Sequence, residues 1–231
     1  MTNKDFWSPQ QEAKLFAWHK IQQVADQQKP GPCITISREF GCQAYPVAEA
    51  LAKRLNARTA GDPWAVIGRE ILDEVAKLSG YTVEQIEKSQ DTPSSLKAIF
   101  SMFLDKNLAE ETKIFSHLRE VIIGFAKRGN CILVGRGAVL VSQELANCIH
   151  LRLVAPYKFR VQKIMNSHGL NQADAEKFIS LHQQQRDDFI KRFADCALDD
   201  PSLYHLMINN SRLDVAGIAE LVEDYMLKFC R

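Results

Sequence analysis

The stretch Ile34-Thr35-Ile36-Ser37-Arg38-Glu39-Phe40-Gly41-Cys42-Gln43-Ala44-Tyr45-Pro46-Val47-Ala48 reads as a buried strand, a short loop and the first turn of a helix. In α/β proteins that junction holds phosphate. Successive backbone N–H groups and the positive end of the helix macrodipole form an anion cradle that needs no particular side chain. A full phosphate loop reads G-x-x-x-x-G-K-[ST], with the Lys and the hydroxyl carrying phosphate and Mg²⁺ contacts. Here the turn keeps one glycine, Gly41, and no lysine.

Downstream of the loop, Pro46 to Leu55 predicts a helix with Val47, Leu51 and Leu55 inward, and Pro46 suits its first turn. Upstream, Pro30-Gly31 closes an N-terminal arm, residues 1–30, from the main domain, 31–231. Within the arm Ser8-Pro9-Gln10-Gln11 is a helix start, with Ser8 as N-cap and Gln11 completing a capping box. Leu15, Trp18, Ile21 and Ala25 then share one face, which packs either on the domain or on a second subunit or protein partner.

Further along, Gly61-Asp62-Pro63-Trp64 is a break, with Trp64 read as a packing anchor. Glu70 to Leu78 and Val83 to Lys88 look helical, and the polar run Gln90 to Ser95 is a loop. Phe115, Leu118, Ile122 and Phe125 mark a long helix ended by Lys127, Arg128 and Gly129. Cys131 to Val134 is a buried strand running into Gly135-Arg136-Gly137, and Cys148 to Val154 is another. Pro156 opens a helix, Asn171 caps the next, Met207-Ile208-Asn209 is a short strand and Val215 to Phe229 a closing amphipathic helix. Strands alternating with helices give an α/β fold, a parallel sheet with helices on both faces, whose ligands sit beyond the carboxyl ends of the strands.

Composition narrows the function classes. Among 231 residues 46% are hydrophobic and the net charge is +1, which excludes disorder and a broad nucleic-acid surface. Cys33, Cys42, Cys131, Cys148, Cys196 and Cys230 form no C-x-x-C pair and no metal-ligand spacing with His, so they read as reduced thiols without a zinc site. Met1 to Asp5 opens no leader, and no run approaches the roughly 18 apolar residues of a membrane span, so the expectation is a cytoplasmic protein.

Two strand ends pair Gly with Arg: Ser37-Arg38-Glu39-Phe40-Gly41 and Gly135-Arg136-Gly137. Arg offers phosphate a planar fork, and flanking glycines let backbone and ligand approach closely. Two such ends on one sheet edge suit a ligand pair rich in phosphate. Cys42, at a helix start, is either a thiol of depressed pKa or a small filler, and the filler reading leads. All six histidines read as structural or solvated.

In this order, I-T-I-S-R-E-F-G, G-D-P-W, C-I-L-V-G-R-G-A, H-L-R-L-V-A-P-Y-K-F-R and D-D-P-S-L-Y-H-L-M-I-N-N-S resemble the cytidylate-kinase-like family of P-loop proteins, from about residue 33 to 229. The resemblance implies a nucleoside monophosphate kinase fold with a helical lid at about 180–200, and ATP with Mg²⁺ as donor. It implies a small phosphorylated acceptor, CMP or dCMP. On the matching positions, Ser37, Arg38, Gly41, Cys42, Gln43, Ala44 and Tyr45 hold donor phosphates. Arg69, Gly135, Arg136 and Gly137 meet the acceptor, and Arg186, Lys191 and Arg192 close over the reacting group alongside Arg38 and Arg136. Arg160 also matches a family arginine, either near the donor base or lid or in a surface ion pair.

The chain departs from the family's S-R-E-x-G-[SA]-G-G-[RS]: Gln43 and Ala44 replace glycines and Tyr45 a polar or basic residue. Gly68 stands where Asp is common, and Gln183 and Gln184 where the lid often carries Asp and Arg. Asp187 and Asp188 add negative charge beside a site meant for triphosphate. A kinase and a catalytically impaired pseudokinase, a nucleotide- or anion-binding or protein-interaction module, therefore stand about level.

Overall fold

The computed structural model describes residues 31–58, 62–68, 71, 107–135, 137–193 and 197–229. Five strands, β1 (Cys33–Arg38), β2 (Ala65–Ile67), β3 (Cys131–Val134), β4 (Cys148–Val154) and β5 (Leu206–Asn209), form one sheet in the order β2-β3-β1-β4-β5. Every pairing is parallel. The helices are α1 (Ala44–Arg58), α2 (Asn107–Arg128), α3 (Ala138–Val141), α4 (Tyr157–His168), α5 (Gln172–Phe193) and α6 (Val215–Phe229).

Alternation along the strands decides which layer each residue enters. Ile34, Ile36, Ile132, Val134, Ile149, Leu151 and Leu153 pack against Val47, Leu51 and Leu55 of α1 and Ile218 and Val222 of α6. On the other face Cys33, Cys131, Leu133 and Cys148 meet Leu118, Val121, Ile122 and Phe125 of α2, Ala138 of α3 and Ile190 of α5. Each fully buried side chain of this size contributes about 1.5–3 kcal/mol, so the two layers dominate stability. A third cluster joins Val161 and Ile164 of α4 to Ala175 and Ile179 of α5, with Phe40 from the loop packed against it.

The predicted parallel sheet covered on both faces is the observed one. The first helix starts at Ala44, not Pro46, and runs to Arg58; Pro46 sits in its first turn, where no intrahelical N–H is required. Asn171 caps α5, its Oδ1 accepting from the Asp174 amide at 2.9 Å. Trp64 is a packing anchor: 2% exposed, with its backbone N–H donating to Asn56 Oδ1 at 2.7 Å. The expected arm, the helices from Glu70 and Val83, the polar loop from Gln90, and Arg69, Arg136, Cys196 and Cys230 lie outside the described residues. So do the side chains of Phe115, Lys191 and Arg192, whose backbones lie in α2 and α5. No helix among the described residues is long and apolar enough to cross a membrane.

Candidate phosphate-binding site

Sheet register brings the predicted strand ends together. Ile36 of β1 lies opposite Val134 of β3, and Ile67 of β2 opposite Leu133, so Arg38, Gly135 and Gly68 meet at one carboxyl edge. Arg136 and Arg69 are the next residues in the chain after Gly135 and Gly68. Gly135 has φ +78°, and a Cβ there would overlap the Arg38 guanidinium. The positive φ is what favours glycine, and Arg38 lies across it, a contact between two strand ends that sequence spacing does not reveal. Gly137, also at positive φ (71°), is the N-cap of α3.

Tyr45 explains a second departure. Its ring centroid stands 5.9 Å from Arg38 Cζ, and its hydroxyl reaches Gly68, where a Cβ would overlap it. A side chain at position 68 would have to displace the end of the Tyr45 ring, so the two departures from the family pattern are in contact.

The loop itself is fastened to α4. Gly41 has φ +94°, and a Cβ on it would lie 2.7 Å from Arg160 Cβ. Arg160 Nη1 donates to the Phe40 carbonyl at 3.2 Å and Nε to the Ala155 carbonyl at 3.1 Å, with Glu39 Oε2 3.5 Å from Nε. Of the two roles weighed for Arg160, the ion pair is present, largely buried, and it ties the loop to the helix.

Several cradle amides are already engaged. The Phe40 N–H donates to Gln183 Oε1 at 2.8 Å and the Gln43 N–H to Asn210 Oδ1 at 2.8 Å. The Cys42 N–H donates to the Glu39 carbonyl at 3.2 Å and the Ala44 N–H to the Cys42 carbonyl at 3.0 Å. Asn210 is 2% exposed, and its Nδ2 is buried with no hydrogen-bond partner. Burial pushes the Cys42 thiol up to about 12, Glu39 adds to the rise, and Arg160, Arg152 and Arg186 pull against it. Cys42 is a filler, not a thiolate.

Helix α5 docks on the loop through aromatic contact. Arg186 Cζ lies 4.7 Å from the Phe40 ring centroid, and Phe40 stacks on His182 at 4.9 Å and meets Phe178 edge-on at 5.6 Å. Arg186 thus stands beside the loop. A groove of about 430 Å³ between α4 and α5 is lined by Tyr157, Arg160, Gln183, Asp187 and Asp188. Its two aspartates make it a poor phosphate pocket. Among the described residues no group of three or more His, Cys, Asp or Glu is placed to hold a metal ion.

Sequence reasoning missed Asn210 as a loop contact and did not foresee that Gln183 would bond the loop. The available signal was position: Asn210 follows β5 at the carboxyl edge, where polar residues face ligands in parallel sheets.

The cytidylate kinase of Methanocaldococcus jannaschii is 26% identical over 191 residues, covering 82% of this chain and 94% of that enzyme. A uronate isomerase of Corynebacterium glutamicum is 26% identical over 124 residues, 53% of this chain, and the chain spans only 24% of that protein's length. In structure, an uncharacterized protein of Eubacterium ventriosum superimposes with a TM-score of 0.62 at 19% identity, covering 84% of this chain and 98% of its own. The profile of the cytidylate kinase-like family matches residues 33–212. With that span taking in the sheet, the loop and α5, the chain belongs to the cytidylate kinase-like family.

Proposed function

We propose that the chain is a phosphotransferase of the nucleoside monophosphate kinase type, taking a phosphoryl group from ATP·Mg²⁺ to a small phosphorylated acceptor such as CMP or dCMP. The observation that carries this reading is Arg38, held across Gly135 where the phosphate loop meets the end of β3. A guanidinium at that junction touches the ground between donor and acceptor phosphates, where charge develops during transfer.

A triphosphate has to be compatible with the loop as it stands. Two of its amides are held by the Gln183 and Asn210 carboxamides. A neutral hydrogen bond is worth about 1 kcal/mol net, and one to a charged phosphate oxygen about twice that. Displacing both carboxamides therefore costs about 2 kcal/mol, roughly 30-fold in affinity, which weakens a nucleotide without excluding it. The loop fits the donor at reduced affinity.

ATP·Mg²⁺, when bound, supplies the phosphoryl group and a divalent charge. Arg38, Gly41 and the backbone of 42–45 would hold its phosphates. Arg69, Arg136 and the flanking Gly135 and Gly137 would orient the acceptor phosphate, and Arg186, Lys191 and Arg192 would bring positive charge from the lid and exclude water.

A second reading, binding with impaired transfer, is favoured by Tyr45 lying from the loop to Gly68 and by the engaged amides. Calorimetric titration with ATP·Mg²⁺, paired with a transfer assay over a panel of nucleoside monophosphates, separates the two. Saturable binding and turnover, both lost in a folded Arg38→Ala, support the kinase. Binding with no turnover on any acceptor supports the impaired module, and no binding at millimolar nucleotide removes the kinase reading.

A further inference from the structure

We propose that Arg152, Ser37 and Tyr204 form a second anion site, taking a phosphate group on the sheet face opposite α1 and α6 and independent of the loop amides. Arg152 lies in β4 opposite Ser37 of β1 and is 6% exposed. Its Nη1 donates to Ser37 Oγ at 3.2 Å and to the Tyr204 hydroxyl at 3.4 Å, and its guanidinium lies 5.7 Å from the Tyr204 ring centroid. Its Nε is buried without a hydrogen-bond acceptor.

No carboxylate among the described residues pairs with it. Other arginines of this domain are answered: Arg160 by Glu39, Arg54 and Arg58 by Glu223, Arg128 by Asp62. Burying a charge without a counter-ion is costly, and a chain that retains one has a use for it when an anion arrives to pair with it.

The neighbours fit such an anion. Ser37 Oγ accepts from Arg152 at 3.2 Å and lies 3.3 Å from the Tyr204 hydroxyl oxygen, so its own proton can go to that oxygen or to an anion. Tyr204 is itself fixed, its hydroxyl bonded to the Leu198 carbonyl at 2.7 Å. A tetrahedral phosphate, free or terminal on a nucleotide, matches the guanidinium fork and the hydroxyl donor.

The test titrates the full chain with inorganic phosphate, CMP and ATP·Mg²⁺, following heat of binding and the thermal midpoint, in wild type, Arg152→Met and Tyr204→Phe. Phosphate is expected to bind saturably and raise the wild-type midpoint. Arg152→Met is expected to lose at least about tenfold in affinity while its unliganded midpoint stays level or rises, because an uncompensated buried charge is gone. Tyr204→Phe, which keeps the packing, should weaken binding severalfold and gives the readout if the Met variant does not fold.

Arg152-dependent binding of phosphate alone assigns a free-phosphate site. The same dependence seen only with CMP or ATP·Mg²⁺ assigns the phosphate of a nucleotide. An equal midpoint shift in wild type and Arg152→Met, or no binding of any of the three ligands, overturns the site. Failure of the kinase reading would look different: wild type would show no turnover on any acceptor, with the Arg152-dependent response to inorganic phosphate intact.

Discussion

Replacing Asn210 with alanine removes the carboxamide that holds the Gln43 amide. In the native protein that amide donates to Asn210 Oδ1 at 2.8 Å, and the asparagine is 2% exposed. Without it the half-buried Gln43 N–H loses its acceptor, at a cost of about 1 kcal/mol. The unliganded protein should lose that much stability in urea unfolding. A bound phosphate oxygen can accept from the freed amide, so the penalty present without ligand is relieved on binding. Each 1 kcal/mol so recovered tightens binding about fivefold. Calorimetry with ATP·Mg²⁺ should therefore show Asn210→Ala binding about fivefold tighter than wild type, although the variant is less stable. Unchanged affinity would mean that the Gln43 amide never meets the ligand. Weaker affinity would point to the buried, unpartnered Nδ2 of Asn210 as a ligand donor, and would refute the idea that this side chain competes with phosphate.

Gly68→Ala should cost no more than about 1 kcal/mol, because its Cβ displaces the outer end of the exposed Tyr45 ring, and Tyr45→Ala in the same chain should remove that cost. Additive effects in that double-mutant cycle would show that the two departures from the family pattern are independent. A pH dependence follows from His150, which is 2% exposed, close to Thr35 Oγ1 at 2.9 Å, and held down to about 4 from 6.5 by burial and then by His205. Since its folded value lies below its unfolded one, the stabilisation is complete above pH 6.5 and is lost as pH falls from 6.5 to about 4, by up to about 3 kcal/mol. His150→Asn should flatten the decline in unfolding free energy across that window; identical slopes in both proteins would refute the assignment.

Much of the fold was legible because its signals are local. Runs such as Cys131 to Val134 and the alternation of Ile149, Leu151 and Leu153 against His150 and Arg152 identify strands within a few residues. Part of the site was legible for the same reason, since Gly-Arg pairs directly follow apolar strands and a parallel sheet must gather their ends. The alternation did mislead in one respect. It reads Arg152 and His150 as the less apolar face of β4, yet both are buried, because helices cover each side of a parallel sheet.

The sequence alone determined the α/β class, the strand positions, the cap at Asn171 and the family resemblance, all set by short-range periodicity, capping chemistry and motif order. Tertiary structure alone decided that Tyr45 lies over Gly68, that Asn210 and Gln183 occupy loop amides, and that Arg152 is buried beside Ser37 with no carboxylate partner among the described residues. These facts join residues far apart in the chain, Gln43 and Asn210 being 167 positions apart. Such contacts depend on which strands become neighbours and how closely layers pack, and neither quantity is written in the local pattern.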